Sequence, residues 1–250
     1  MVHLARELVA LKPNVLFAGS LSGAQAAYAA TQTIPIVAVT PEDPVASGFT
    51  QSIVKPSRNI TGTWLLGDDA LVGKRLDFLK LAVPGLVRVG VVINPEEPTD
   101  GVQASKLLSA SRALAVDTKI FKVRDITKLD AVASEVARGG VQALYIGHGP
   151  TLNTARAQVT AMAARLRLPA IYGFREFADA GGLMSYGPNL PDIYRQSARL
   201  VDKILKGSQP VELPFELPAR YELIVNLKTA KAAGLKIPDS FVLLADDVIE

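Results

Sequence analysis

The polar residues able to do chemistry in this chain gather where apolar runs stop. Val15, Leu16 and Phe17 lead into Gly19-Ser20-Leu21-Ser22-Gly23. Ser20 and Ser22 there suit two roles. A serine at a helix start caps it. Hydroxyls and free backbone N–H groups at that point also suit a ligand carboxylate. Ser22 stands one place late for a G-x-S-x-G nucleophile elbow. Thr40-Pro41-Glu42-Asp43-Pro44 follows a second apolar run. Thr40 and Asp43 are candidate ligand contacts, Asp43 for an ammonium group; the plainer reading of Asp43 is a turn residue. Asn94-Pro95 ends a third run, with Glu96, Glu97, Thr99 and Asp100 behind it. Asn94 can both donate and accept, and Thr99 stands beside it as a further candidate. The acids read as a solvated helix start, where the dipole favours them. Adjacent carboxylates diverge, so they do not form the converging pair of a glycosidase. His148, between Gly147 and Gly149, sits at a strand end with a tight turn around it and is expected to face a cleft. Among the aromatics, Trp64 and Tyr172 carry a polar handle and are expected to stack on a ligand. Phe174 ends an apolar run and is expected in the core.

Composition narrows the chemistry. The chain has 250 residues, no cysteine and two histidines. Thiol nucleophiles, disulfides and thiolate metal sites are excluded, and His148 with His3 cannot build a histidine metal centre. No histidine-centred triad is apparent. Gly147-His148-Gly149 lacks the third glycine of a dinucleotide fingerprint. The expectation is therefore no catalytic residue, no metal and no cofactor, only non-covalent binding of a small molecule. Lys+Arg of 27 against Asp+Glu of 24 gives a net charge of +3, with no basic run to track a nucleic-acid backbone. No apolar run is long enough to span a bilayer, so no stable membrane insertion is expected. Met1 to Pro13, as given, has no basic segment leading into an apolar one and carries no export signal.

Short apolar strands alternate with amphipathic helices. Strands are expected over residues 14–20, 36–40, 60–64, 87–93, 118–123, 143–147, 170–174 and 183–186. Helices are expected over 23–31, 69–83, 102–115, 129–138, 151–166, 175–180 and 192–206. This order predicts an α/β fold of parallel βαβ units with helices on both faces of each sheet.

Several blocks carry a resemblance. Pro169 to Asn189, PAIYGFREFADAGGLMSYGPN, is similar to a signature block of ABC-transporter substrate-binding proteins of the tryptophan/tyrosine-binding type. Ile34 to Phe49 (IPIVAVTPEDPVASGF), Asn59 to Gly62 (NITG), Val89 to Pro98 (VGVVINPEEP), Tyr221 to Gly234 (YELIVNLKTAKAAG) and Ala245 to Glu250 (ADDVIE) follow in that family's order. The chain departs from the family pattern at His148 and at Thr63-Trp64. The resemblance implies a two-lobed type I periplasmic-binding-protein fold. It implies capture of a small molecule, an aromatic or other amino acid, in a cleft that closes between the lobes. It further implies an ABC permease as partner and a periplasmic location.

The lobes are expected to comprise residues 1–65 with about 188–210, and 66–187 with about 211–250. By resemblance, a signal peptide, a first strand, a first helix and a second strand would precede the helix at His3 to Leu11. Without them the N-terminal lobe is expected to be incomplete, with the strand at Asn14 an exposed apolar edge prone to self-pairing. Other readings of such a sheet are the effector-sensing domain of a regulator and a Rossmann-like enzyme. The first needs a helix-turn-helix ahead of the lobe and the second a complete phosphate-binding turn. Neither is visible.

Overall fold

Residues Ile36 to Thr40, IVAVT, show how the sheets are built. Successive side chains in a strand point to opposite faces, so an unbroken apolar run must be covered on both. Ile36 and Ala38 pack with Leu16, Ala24 and Phe49 on one side, and Val37 packs with Leu200 and Leu213 on the other. The computed structural model describes residues 1–65 and 70–250. The start expected for a helix at Asp69 and the link around it lie outside the described residues.

The chain begins with α1 (Val2–Ala10), β1 (Leu16–Ala18), α2 (Leu21–Ala30), β2 (Ile36–Thr40) and β3 (Ile60–Trp64). Next come α3 (Ala70–Ala82), β4 (Arg88–Ile93), α4 (Pro98–Ala113), β5 (Asp117–Lys122), α5 (Leu129–Ala137) and β6 (Ala143–Ile146). Then follow α6 (Pro150–Thr154), α7 (Arg156–Leu166), β7 (Ala170–Tyr172), α8 (Arg175–Asp179) and β8 (Met184–Pro188). The remainder is α9 (Leu190–Leu205), β9 (Tyr221–Asn226), α10 (Leu227–Ala233), α11 (Asp239–Val242) and β10 (Asp247–Ile249).

The chain divides into two compact units. The first is Met1–Gly67 with Pro188–Arg220, and the second is Asp68–Gly187 with Tyr221–Glu250. In the first, a three-stranded parallel sheet runs β1-β2-β3. α2 covers one face and α9 the other. β1 forms one edge, and Phe17 at its centre is 49% exposed. Leu4, Leu8 and Leu11 near it in sequence are also exposed.

Residues 211–220, expected in the other lobe, are held by the first unit. Thr61 Oγ1 donates to the Leu213 carbonyl at 2.8 Å, and the Phe215 N–H donates to Ile53 O at 2.8 Å. Glu216 N–H reaches Gly62 O and Trp64 N–H reaches Glu216 O, both at 2.9 Å. This segment satisfies backbone groups along the free edge of β3, which no sequence periodicity reports. Gly62 allows the close approach of β3 to β2: a Cβ there would lie 1.8 Å from the Ala38 carbonyl oxygen.

The second unit holds a seven-stranded sheet in the order β10-β9-β8-β7-β6-β4-β5. The pairings β4 to β5, β4 to β6, β6 to β7, β7 to β8 and β9 to β10 are parallel. Val89, Val91 and Ile93 of β4 alternate into a core shared with Leu76 and Leu79 of α3, Leu107 of α4 and Phe241 of α11. Several boundaries depart from expectation, the strand expected over 14–20 being only Leu16–Ala18 and the helix expected over 102–115 starting at Pro98, and two more bear on the site. The helix expected over 151–166 is interrupted at Ala155, which leaves α6 and α7 as separate pieces. The strand expected to reach Phe174 stops at Tyr172, because Phe174 is the extended N-cap of α8.

Candidate ligand-binding site

Ligands of parallel α/β sheets bind beyond the carboxyl ends of the strands. In the second unit those ends carry a buried polar network. Asp100, in the first turn of α4, is 0% exposed. Its Oδ2 accepts the Asn94 N–H at 2.8 Å and its Oδ1 accepts the Gly149 N–H at 2.9 Å. One carboxylate thus ties the end of β4 to the turn after β6. Glu97 repeats the tie: Oε1 accepts the Thr151 N–H at 2.9 Å and the Thr151 hydroxyl at 2.5 Å. Asn94 completes it, donating from Nδ2 to Thr151 Oγ1 at 3.2 Å and accepting the Glu96 N–H at 3.1 Å. The expectation of solvated acids at this helix start is therefore corrected for Asp100. Its burial removes the charged form from water and raises its pKa to about 6, against the backbone N–H groups of Asn94, Gly149 and His148 that favour ionisation and with a push from Glu97.

Next to this lies Arg75 of α3, only 1% exposed. Its guanidinium reaches across the ends of β6, β7 and β8. Nε donates to Tyr186 O at 2.6 Å and Nη2 to Gly173 O at 3.3 Å. Nη1 lies 3.3 Å from His148 Nδ1 and 3.5 Å from the Tyr145 hydroxyl. Among the described residues no carboxylate pairs with it. Gly187 makes room: a Cβ there would stand 3.3 Å from Nη2 and 1.8 Å from Gly173 O. Gln103 of α4 donates from Nε2 to the Tyr145 hydroxyl at 3.3 Å and also contacts His148 Nδ1. Phe174 meets the His148 ring edge-to-face at 5.6 Å. His148 is buried, and burial first and the Arg75 charge second hold its pKa well below 6.5. It is a neutral imidazole.

The structure places the other candidates as follows. Thr99 is buried beside Asp100 in the first turn of α4. Tyr172 is 1% exposed and stacked on Phe177 at 4.8 Å and 16°. Its hydroxyl is buried without a hydrogen-bond partner among the described residues, and burial raises its pKa. Tyr172 is thus built into the packing of β7 against α8. Phe174 is buried, as expected, and is also the aromatic that borders His148. In the first unit, Ser20 caps α2 by accepting the Gly23 N–H at 3.2 Å, and its hydroxyl lies 3.5 Å from that of the exposed Ser22. Thr40 ends β2 opposite Trp64 of β3. Its Oγ1 closes a local turn with Glu42, donating to the carbonyl and accepting the N–H. Asp43 Oδ1 accepts the Val45 N–H at 2.8 Å, which is the turn role. Trp64 is half-buried at the end of β3.

Sequence reasoning passed over Arg75 and Gln103. A signal existed for both. Leu71, Arg75 and Leu79 are spaced i, i+4, i+8 on α3, and Thr99, Gln103 and Leu107 have the same spacing on α4. A polar residue on the buried stripe of an amphipathic helix needs internal partners.

Among the described residues no group of three or more His, Asp or Glu side chains could hold a metal ion, and no helix is long and apolar enough to cross a membrane. What the strand ends offer is hydrogen-bond donors, acceptors and one buried cation. Against known proteins, residues 1–249 match the family model described as ABC transporter substrate binding protein. A tyrosine-binding protein of Clostridioides difficile is 24% identical over 233 residues, 93% of this chain and 66% of that protein's length. A conserved domain protein from Vibrio cholerae is 24% identical with a TM-score of 0.91, over 99% of this chain and 82% of that one. An ABC domain from Streptococcus pneumoniae, solved in complex with L-Trp, is 19% identical with a TM-score of 0.88, over 99% and 85% of the two chains. These likenesses establish the fold as the two-lobed α/β architecture of type I periplasmic-binding proteins. The match along nearly the whole length of the chain makes it a member of the ABC transporter substrate-binding protein family.

Proposed function

We propose that this protein is the solute-binding component of an ABC import system. It captures a small molecule reversibly and delivers it unchanged to a permease on the outer face of a cytoplasmic membrane. The ligand is an amino acid with an aromatic side chain. The observation that carries the reading is the family match over residues 1–249, joined to polar side chains placed at strand ends in each unit. The names of two relatives, one tyrosine-binding and one solved with L-Trp, support the ligand class. Ser20, Ser22, Thr40, Asp43 and Trp64 contribute from the first unit, and Asn94, Thr99 and His148 from the second. Phe174 is added as the aromatic beside His148. Tyr172 acts behind them, by seating α8 and the turn at Gly173.

Calorimetric titration with the common amino acids tests this. Saturable binding of an aromatic amino acid, recovered intact after incubation, is the expected result. A bound ligand that is chemically consumed, or a nucleotide preferred over every amino acid, overturns it. Ligand at a hundredfold excess over its dissociation constant should stabilise the fold by about 2.7 kcal/mol.

A further inference from the structure

The orientation of His148 carries information beyond its position. Its Nδ1 faces Nη1 of Arg75 and the side-chain amide of Gln103. A guanidinium has only donors, so the nitrogen facing it must be the acceptor. The amide of Gln103 then presents its NH₂ to the same nitrogen. The proton of the neutral imidazole therefore sits on Nε2. That atom is buried and has no hydrogen-bond partner among the described residues. An orphan buried N–H carries the full cost of its desolvation. Arg75 adds a second imbalance. It is buried among neutral acceptors, with no carboxylate paired to it among the described residues. By drawing on the Nδ1 lone pair it polarises the ring and makes Nε2–H a stronger donor.

We infer that His148 Nε2–H donates to an oxygen of the ligand's carboxylate, with Arg75 as the positioning residue that fixes the tautomer from behind. This deepens, and rests on, the amino-acid reading above. Asp100, which faces the same turn, turns both oxygens toward the Asn94 and Gly149 N–H groups, whose dipoles offset part of its field. It therefore opposes an incoming carboxylate less than a free acid would.

Calorimetry on the full chain with L-tyrosine, L-tryptophan, tyramine and tryptamine tests the inference. The amines keep the ring and the amino group and lack only the carboxylate. The amino acids should bind at least about tenfold tighter than the matching amines, the ratio expected of a hydrogen bond to a charged group. His148→Phe should shrink that ratio. His148→Gln, whose amide nitrogen can take the place of Nε2, should restore part of it. Nitrogen NMR of the imidazole should report the Nε2–H tautomer without ligand and a shift of that resonance on adding L-tyrosine. Equal affinity for acids and amines, an unchanged ratio in both variants, or an Nδ1–H tautomer would overturn the inference while leaving the binding function intact. Failure of all four compounds to bind would instead remove the aromatic amino-acid reading, and the carboxylate contact with it.

Discussion

Asp100 should make this protein less stable as the pH rises. The carboxyl is fully buried, and its pKa stands at about 6 against an ordinary 3.8. Between those values the folded chain holds a proton that the unfolded chain has released. Stability therefore falls with rising pH across that window and is level, for this group, above it. The gap from 3.8 to about 6 corresponds to about 3 kcal/mol at about 1.4 kcal/mol per pH unit. Asp100→Asn removes the titration and keeps the shape. It resembles the protonated acid, which likewise gives up one acceptor to the Asn94 and Gly149 N–H groups. Urea unfolding followed by circular dichroism at pH 4, 5, 6 and 7 would measure both proteins, so that groups common to them cancel. Since pH 4 already lies just above the unfolded pKa, the variant should gain on the parent by about 2.4 kcal/mol from the low to the high end, with most of the change complete by pH 6. A difference that stays flat means the folded and unfolded pKa values coincide. One that moves the other way means the backbone donors outweigh desolvation and hold the carboxylate ionised.

Tyr172→Phe should leave stability unchanged or raise it by about 1 kcal/mol, since it removes a buried hydroxyl with no partner; a fall in melting temperature would show that the hydroxyl is satisfied. Tyr172→Ala should cost about 3–5 kcal/mol, because it empties the space stacked on Phe177, and an unchanged unfolding midpoint would contradict that packing. Asn94→Ala should cost only about 1–2 kcal/mol through its bonds to Thr151 and Glu96 while weakening amino-acid binding in calorimetry; normal affinity would take Asn94 out of the site. Phe17→Lys should lower self-association in light scattering, since a lysine blunts an edge strand, and scattering that does not change would mean that β1 is not the contact.

The residues that obey a period were readable and those that answer a neighbour were not. β2 falls where its apolar run places it, because a strand buried on both faces leaves no polar alternation to confuse the pattern. The helix at Leu190 to Leu205 is likewise written in its spacing, with Ile193, Leu200 and Ile204 buried on one stripe. Residues 211–220 have no period of their own. They are fixed by backbone bonds to Ile53, Gly62 and Trp64, partners set by tertiary structure alone. The site divides in the same way. Ser20 and Asp43 occupy the local capping and turn roles that their short side chains favour. Asp100 reads as a solvated helix-start acid until the turn at Gly149 is seen to close over it. Tyr172 and Phe174 lie in one short segment and both are buried, and only the early end of β7 decides that Tyr172 stacks on Phe177 while Phe174 meets His148.

Neither unit is continuous in sequence. The face of the first sheet carrying Val37 is covered by Leu200 and Ile204, more than 150 residues downstream. On a ribosome that face emerges long before its cover. The nascent chain must carry an apolar sheet surface through synthesis of nearly the whole second unit, at speeds of about 5–20 residues per second. β9 and β10, later still in the sequence, then join the sheet of the second unit at the opposite end from β5. The first sheet is thus covered, and the second extended, only by segments that follow residue 187. A product that stops short of Arg220 therefore has neither unit finished and offers chaperones an exposed apolar surface.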